Sequence, residues 1–458
     1  MKKYILFIGI FISMLVPLAA LHAQEVATLT GLPAPHDAIV RQYTDDQSIF
    51  YFDDHTNHYF VLQKHVAPYV TIMAQFPNHL EVHDFEVYND VVYFCGKFPN
   101  GGNPEGFIGQ ISVADLFFNN NPYNFGLIDC CLSFNGASFS YIHMTSCDRM
   151  DVFEDGGFVH LAVVGEMEHS NYYGNSLRRT AGDFWFDGAV WNGAVLYQKE
   201  DLYKASDITC TKNHVVVTAY DDDSNYSILL VFDKISGFPL YPTFNNSIRI
   251  KDYRYNDNIL VERLSEDDVA VSHPFHDLTT GAMGTALHHI ENVNLLPMAL
   301  GNTSIHYVHT GCTTMSPQLD LRYNASSGRL LLLHNVGNPI WTSFRPTVFD
   351  FSGYGLASLT AQAWYYLANM KLFSVDNRTQ HLYFSLGGVY PPGEPMLTIK
   401  TPVSGNCYES VSFFYDDVTS IVSFFTGPFD DAVVTWDSRP INRFYPNPRQ
   451  IINNIICQ

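Results

Sequence analysis

Six histidines fall between residues 273 and 309, namely His273, His276, His288, His289, His306 and His309, and Asp277 follows the second of them. Neutral imidazole with carboxylate is a ligand set that suits transition metals. His288 and His289 are adjacent, so on a strand they point to opposite faces and only one can join a given site. The spacing lacks the H-E-x-x-H helix of a zinc protease. The metal candidates are therefore His273, His276 and Asp277, with half-buried structural histidines as the alternative. Asp221, Asp223 and Asn225 present oxygens at alternate positions, as a calcium loop begins. Tyr226 stands where that loop wants glycine and Phe232 where it wants a bidentate glutamate. Calcium is the one cofactor the sequence suggests, and a solvated acidic turn is the alternative.

A second group of residues could bind rather than catalyse. Tyr172, Tyr173, Trp185 and Trp191 lie in a stretch that reads as a long insertion, Met167 to Trp191, where aromatic rings would offer a stacking surface to sugars or a peptide. No G-x-S-x-G, P-loop or dinucleotide fingerprint occurs. Carboxylate pairs such as Asp53-Asp54 and Asp416-Asp417 sit in apparent hairpin turns, where aspartate is favoured for turn geometry alone. A glycosidase dyad would leave no fixed spacing to find.

The elements that must position these residues are short strands. Apolar β-rich runs begin at Ile49, Val91, Phe158, Val215, Val269, Leu330 and Leu382, spaced by about 55 residues. Turns rich in Asn, Asp and Gly precede most of them, as in Tyr88-Asn89-Asp90 and Glu154-Asp155-Gly156-Gly157. A further strand follows each run, for example Phe107 to Val113 and Ile228 to Phe232, and Ile421 to Phe425 with Ala432 to Trp436 reads as an eighth pair. Small antiparallel units that cannot bury their own faces become stable when stacked radially. The expected fold is all-β, a β-propeller of seven or eight four-stranded blades, closed by pairing of its terminal strands. Ser358 to Ala368 is the one helix candidate. Asn119 to Ser138 and Met167 to Trp191 are expected as irregular insertions projecting from one end of the disc.

Composition bounds the setting. Lys2 and Lys3, the apolar run Tyr4 to Ala20 and Ala23 before Gln24 read as a secretory signal peptide over residues 1–23. No later run is long enough to span a membrane as a helix. The formal charge of −21 disfavours nucleic acid and anionic lipid as partners. Of eight cysteines, Cys131 and Cys147 form the most plausible local bridge.

The runs VYNDVVYFCG, MDVFEDGGFVHLAVVGE and DITCTKNHVVVTAY resemble the repeats of uncharacterised secreted β-propeller proteins. That resemblance implies fold and export and brings no catalytic residue with it. Tyr445-Pro446-Asn447-Pro448 resembles the opening of sorting domains recognised by type IX secretion, here truncated. The sialidase S-x-D-x-G-x-T-W element is absent, and the WD and kelch signatures are incomplete. The organisation expected is a signal peptide at 1–23, a β-propeller at 24–440 and a short tail at 441–458. The expected function is that of an exported binding scaffold, in the periplasm, on the cell surface or beyond it, contacting an extracellular glycan or protein. A propeller-type hydrolase or lyase acting on extracellular polysaccharide is the alternative.

Overall fold

The computed structural model describes backbone in separate stretches between residues 24 and 454, and side chains chiefly between residues 39 and 332. The expected signal segment at 1–23 lies outside the described residues. β1 (Gln24–Leu29) comes first in the chain and is set aside by it for later use. The first sheet is then β2 (Asp37–Thr44), β3 (Gln47–Asp53), β4 (His58–Lys64) and β5 (Thr71–Phe76). The second is β6 (Glu81–Tyr88), β7 (Val91–Phe98), β8 (Glu105–Ser112) and β9 (Tyr123–Asn135), with the one-turn helix α1 (Val113–Phe117) after β8. The third is β10 (Ser138–Asp155), β11 (Phe158–Asn171), β12 (Gly174–Phe186) and β13 (Trp191–Tyr197). The fourth is β14 (Tyr203–Cys210), β15 (His214–Asp221), β16 (Tyr226–Asp233) and β17 (Ser247–Ile250).

The fifth sheet is β18 (Leu260–Arg263), β19 (Val269–His276), β20 (Met283–Ile290) and β21 (Thr303–Cys312). The sixth is β22 (Gln318–Asn324), β23 (Arg329–Asn335), β24 (Phe344–Asp350) and β25 (Leu356–Leu359). The last, β26 (Asn369–Asp376), β27 (His381–Gly387) and β28 (Met396–Pro402), is completed by β1, which pairs antiparallel with β28. The protein is thus all-β, built of antiparallel sheets in a β-propeller-like arrangement, with the second and third joined where the far ends of β9 and β10 pair as a hairpin. The first strands β2, β6, β10, β14, β18, β22 and β26 each touch the next, and β26 touches β2.

The core lies between sheets. Phe60 meets Phe85 at 5.4 Å and Phe76 meets Phe94 at 5.2 Å between the first two sheets, and Phe60 meets Phe76 at 5.3 Å within the first, all edge-to-face, a favoured ring geometry. Further apolar clusters join the second sheet to the third, the third to the fourth, the fourth to the fifth and the fifth to the sixth. Asn89 and Asp90 have φ of 50° and 62°, and Gly156 and Gly157 have 56° and 84°, so the turns read from Asn, Asp and Gly do use left-handed backbone. Bulges recur in the first strands, at Val82/Asp84, Cys147/Arg149, Ala205/Asp207 and Gln318/Asp320. A bulge pushes backbone toward the neighbouring strand, and a Cβ on Gly96 or Gly165 would collide with the carbonyl of Glu81 or Ser146. This accounts for glycine at those positions on the second strands.

The C-terminal segment runs back around the sheets. β29 (Tyr408–Ser410) pairs with β25, β30 (Phe413–Tyr415) with β21 and β31 (Thr419–Val422) with β17. β32 (Val433–Arg439) pairs with β9, β33 (Asn442–Phe444) with β5 and β34 (Gln450–Asn454) with β1. Each addition covers an edge that would otherwise offer free N–H and C=O groups. The eighth hairpin expected around Ile421 and Trp436 is therefore corrected, because β31 and β32 are edge strands of two different sheets. Tyr445 to Pro448 lies outside the described residues, between β33 and β34.

Three other expectations change. Much of the two insertions expected as irregular is strand: β9 fills most of the first, and twelve register pairs join β11 to β12 through the second. In the second, the stretch from Glu166 to Thr180 is mostly polar and carries no apolar face for a sequence reading to detect. Ser358 and Leu359 belong to β25, while residues 360–368 of the expected helix lie outside the described residues; a short helix the sequence reading did not anticipate is α1, where the Ser112 hydroxyl accepts from Asp115 N–H at 2.9 Å and Leu116 and Phe117 are buried. Cys147 is a buried free thiol. Cys131 stands opposite Ile142, five residues short of Cys147 and roughly 16 Å along the strand, beyond disulfide reach.

Gly165→Ala is expected to destabilise the fold by about 2 kcal/mol, the cost of overpacking against fixed backbone, whereas Gly156→Ala, where a Cβ meets open space, costs only its left-handed strain. Urea denaturation of the two variants checks the order.

Candidate functional site

Two places concentrate polar chemistry: the inner strands, and one row of side chains across the third sheet. On the inner strands each acid reaches forward to the backbone of the next sheet. Asp84 accepts Met150 N–H at 3.0 Å, and Asp151 accepts Cys210 N–H at 2.7 Å and the Thr209 hydroxyl at 3.0 Å. Asp207 accepts Val261 N–H at 2.9 Å, and Glu262 accepts Tyr323 N–H at 3.3 Å. Between the first two sheets the Tyr51 hydroxyl does the same work, accepting Val82 N–H at 3.0 Å.

Arginines balance these acids. Arg41, 5% exposed, pairs with Asp84 and, at 2.7 Å, with Glu86. Arg322 of β22 lies 3.0 Å from Glu86 of β6, 3.8 Å from Glu262 and 3.3 Å from Asp320. The second and sixth sheets are not neighbours, so the Arg322–Glu86 pair spans the middle of the arrangement. Burial opposes the charge of Arg149, yet Asp84, Asp207 and Asp320 around it raise its affinity for the proton. The carboxylates outnumber the arginines, and protons make up part of the difference. Burial pushes Glu262 up to about 8 and Asp207 up to about 6, and raises Glu86 against the pull of Arg41 and Arg322. At the bulges, His83 Nδ1–H donates to Asp148 at 3.0 Å; burial works against its charge, but Asp148 and Glu81 hold it up at about 9. Together these groups tie the sheets to one another.

The second place is a cross-strand row. Register sets Phe153 of β10 opposite His160 of β11, and His160 opposite Trp185 of β12. The three rings stack, with centroids 4.8 and 5.0 Å apart and tilts of 23° and 26°. Asp183 holds His160 Nδ1 with both carboxylate oxygens, at 3.0 and 3.1 Å, which fixes the imidazole's orientation. Trp185 is half-buried, and among the described residues neither its indole N–H nor His160 Nε2 has a protein partner. Lys234 places its ammonium 4.0 Å over Phe153, and burial lowers its affinity for the proton. Phe158 stands two residues before His160 and is 41% exposed.

The structure divides the residues expected from sequence. Trp185 joins the row, and Trp191 stands opposite Phe186 across the next turn. Tyr172 and Tyr173 lie outside the described residues. Asp221 ends β15 opposite Tyr226, while Asp223 and Asn225 lie outside the described residues. His273 is fully buried with its Nε2 2.7 Å from Nε2 of His288, in a stacked pair. His276 is the last residue of β19, and Asp277 lies outside the described residues. No group of three or more His, Cys, Asp or Glu able to hold a metal occurs among the described residues. His160, Asp183 and Phe153 escaped the sequence reading because only strand register unites them; the phrase Gly182-Asp183-Phe184-Trp185 was the available signal.

No family model matches the chain, and no curated protein does. Among solved structures, the polysaccharide lyase Uly1 is 9% identical, with 81% of this chain and 91% of that one covered at a TM-score of 0.38. Sqt1 from Chaetomium thermophilum is 11% identical, with 75% and 96% covered and a TM-score of 0.34. A chain from a study of two prolyl endopeptidases is 9% identical, with 72% and 55% covered and a TM-score of 0.21. Likenesses this distant carry no functional argument.

Two outcomes follow from the inner strands. Glu262 and His83 both bind protons more tightly in the folded chain than their ordinary values of 4.5 and 6.5 allow, so the folded state holds protons that the unfolded state releases. Their stabilising contribution is complete below those values and is lost as pH rises through about 8 and about 9. Glu262→Gln, which keeps an acceptor for Tyr323 N–H, is expected to flatten the decline between pH 5 and 8 in urea titrations made across that range. Asp151→Ala strands the Cys210 N–H and the Thr209 hydroxyl and is expected to cost about 3 kcal/mol in the same assay.

Proposed function

We propose that the chain is an exported seven-bladed β-propeller that works as a binding scaffold at or beyond the cell surface. Seven groups of four strands, completed by β1 beside β28, support the blade number and its closure. Lys2, Lys3 and the apolar run Tyr4 to Ala20 support export. The pairing of β33 and β34 with the first and last blades favours a place in the rim for the tail.

The observation that carries the binding reading is the Trp185 row. A tryptophan that served only as core would be enclosed and its N–H bonded. Trp185 is instead half-exposed, with its orientation fixed from beneath by His160 and Asp183. A rigid aromatic anchor with little freedom left to lose is what a binding surface requires. The inner-strand acids do not offer such a surface, since they are engaged by arginine or by the next blade's backbone.

A second reading, a hydrolase or lyase acting on extracellular polysaccharide, is favoured by one observation. Asp183 holds His160 at Nδ1, and among the described residues Nε2 has no protein partner, the arrangement of a positioned general base.

Glycan and protein arrays with the mature protein separate the two. The expected result is a retained ligand that Trp185→Ala loses while the melting temperature moves by only a few degrees. Turnover of a polysaccharide that His160→Ala abolishes would replace the scaffold with an enzyme.

A further inference from the structure

The inner strands hold one cation that the ties between sheets do not use. In five of the first strands the residue that ends the bulge stands at the same place: Asp84 in the second sheet, Arg149 in the third, Asp207 in the fourth, Asp320 in the sixth and Ser374 in the last. The three acids are engaged. Asp84 accepts from Arg41, Phe85 N–H and Met150 N–H, and Asp207 accepts from Val261 N–H. Asp320 accepts from Leu321 N–H and has Arg322 Nε at 3.3 Å. Arg149 differs from all of them. The charges of Asp84, Asp207 and Asp320 act on it from the second, fourth and sixth sheets, which places its guanidinium toward the middle of the ring. Yet among the described residues its side chain makes no hydrogen bond or ion pair.

Solvent reaches this depth. Glu86 and Arg322 lie one pleat further along β6 and β22 than Asp84 and Asp320, and they keep 20% and 25% of their side chains exposed. Arg149 and Asp207 are likewise only part-buried. The Arg322–Glu86 pair, at 3.0 Å, crosses the middle one pleat below Arg149 and gives the space beside it a floor.

The charges there select a ligand class. An anion on Arg149 would meet three carboxylates, and a cation would meet Arg149 and Arg322. A hydroxyl suffers neither penalty, because its oxygen accepts from the guanidinium while its proton goes to a carboxylate lone pair that the backbone leaves open. Two adjacent hydroxyls match the paired N–H groups on one edge of a guanidinium. Water can do the same singly, but a rigid polyol that replaces several ordered waters gains their release.

We propose that Arg149, with Asp207 beside it, is a subsite for a neutral polyhydroxyl group: two adjacent hydroxyls of a free sugar or alditol, or of the terminal unit of a glycan. Both hydroxyls accept from the guanidinium, and one donates to Asp207. This goes beyond the scaffold reading and does not involve the Trp185 row, so each stands or fails without the other.

The test titrates the mature full chain with glucose, mannose, galactose and mannitol as free polyols, and with cellohexaose and mannohexaose as glycan ends. Gluconate and glucosamine are the anionic and cationic controls, and calorimetry and melting temperature are the readouts. At least one neutral probe is expected to bind at millimolar concentration. Arg149→Lys keeps a cation among the three carboxylates but loses the planar fork, and is expected to weaken that binding about tenfold while the melting temperature moves little. Asp207→Asn, which keeps an acceptor for Val261 N–H, is expected to do likewise and decides the matter if Arg149→Lys fails to fold. Binding of the free polyols, of the oligosaccharides or of both supports the subsite and tells which source fills it. Tighter binding of gluconate or glucosamine than of every neutral probe, neutral binding indifferent to both variants, or no binding of any probe at millimolar concentration would each overturn it. Loss of an array ligand in Trp185→Ala is a separate result, and in each of those cases it leaves the scaffold reading in place.

Discussion

The fold depends on one constraint: a carboxylate taken out of water must be given donors, and here the donors belong to the neighbouring sheet. Asp84, Asp151, Asp207 and Glu262 each take a backbone N–H from the next inner strand. Hydrophobic contact between sheets is non-directional and would tolerate sliding. A buried acid on a backbone donor does not, because a shift of one residue removes the partner and leaves the charge exposed to a low-dielectric interior. The bulges matter for the same reason, since they set which residue of each inner strand turns toward the centre. Glycines at 96 and 165 then follow from the bulged backbone they must accommodate.

With the inner edges fixed in this way, the outer edges become the remaining liability. The chain meets it with its own C-terminal segment, which adds strands in the reverse of chain order and ends beside β1. First and last described strands therefore lie together in the sheet that β26 begins. The exceptions to short, evenly sized strands are β9 to β12, of 13 to 18 residues.

The proposed binding row grows from the same sheet geometry. Cross-strand neighbours on one face lie close enough to stack, so Phe153, His160 and Trp185 form a column although 32 residues of chain separate its ends. Asp183 is two positions from Trp185 and so shares its face, which lets it hold the imidazole from within the sheet. The inner network and the row divide the polar chemistry between them: the first holds sheets together, and the second fixes an imidazole against a half-buried tryptophan.

The sequence by itself determined the class of fold. Period-two apolar runs, Asn-Asp and Gly-Gly turns and their recurrence are local properties, and the turns at Asn89 and Gly156 appear as left-handed backbone where the residues require it. It also determined that His288 and His289 would part company, as strand alternation demands, and His288 alone of the two stacks on His273. Tertiary structure decided the rest. Whether Val433 to Trp436 closes a hairpin or covers a distant edge, which acid meets which backbone, and whether Phe153 meets His160 and Trp185 all depend on pairing between strands. A strand's sequence specifies its faces but not its partners, because the edge hydrogen bonds that choose a neighbour are made by backbone groups that every residue shares.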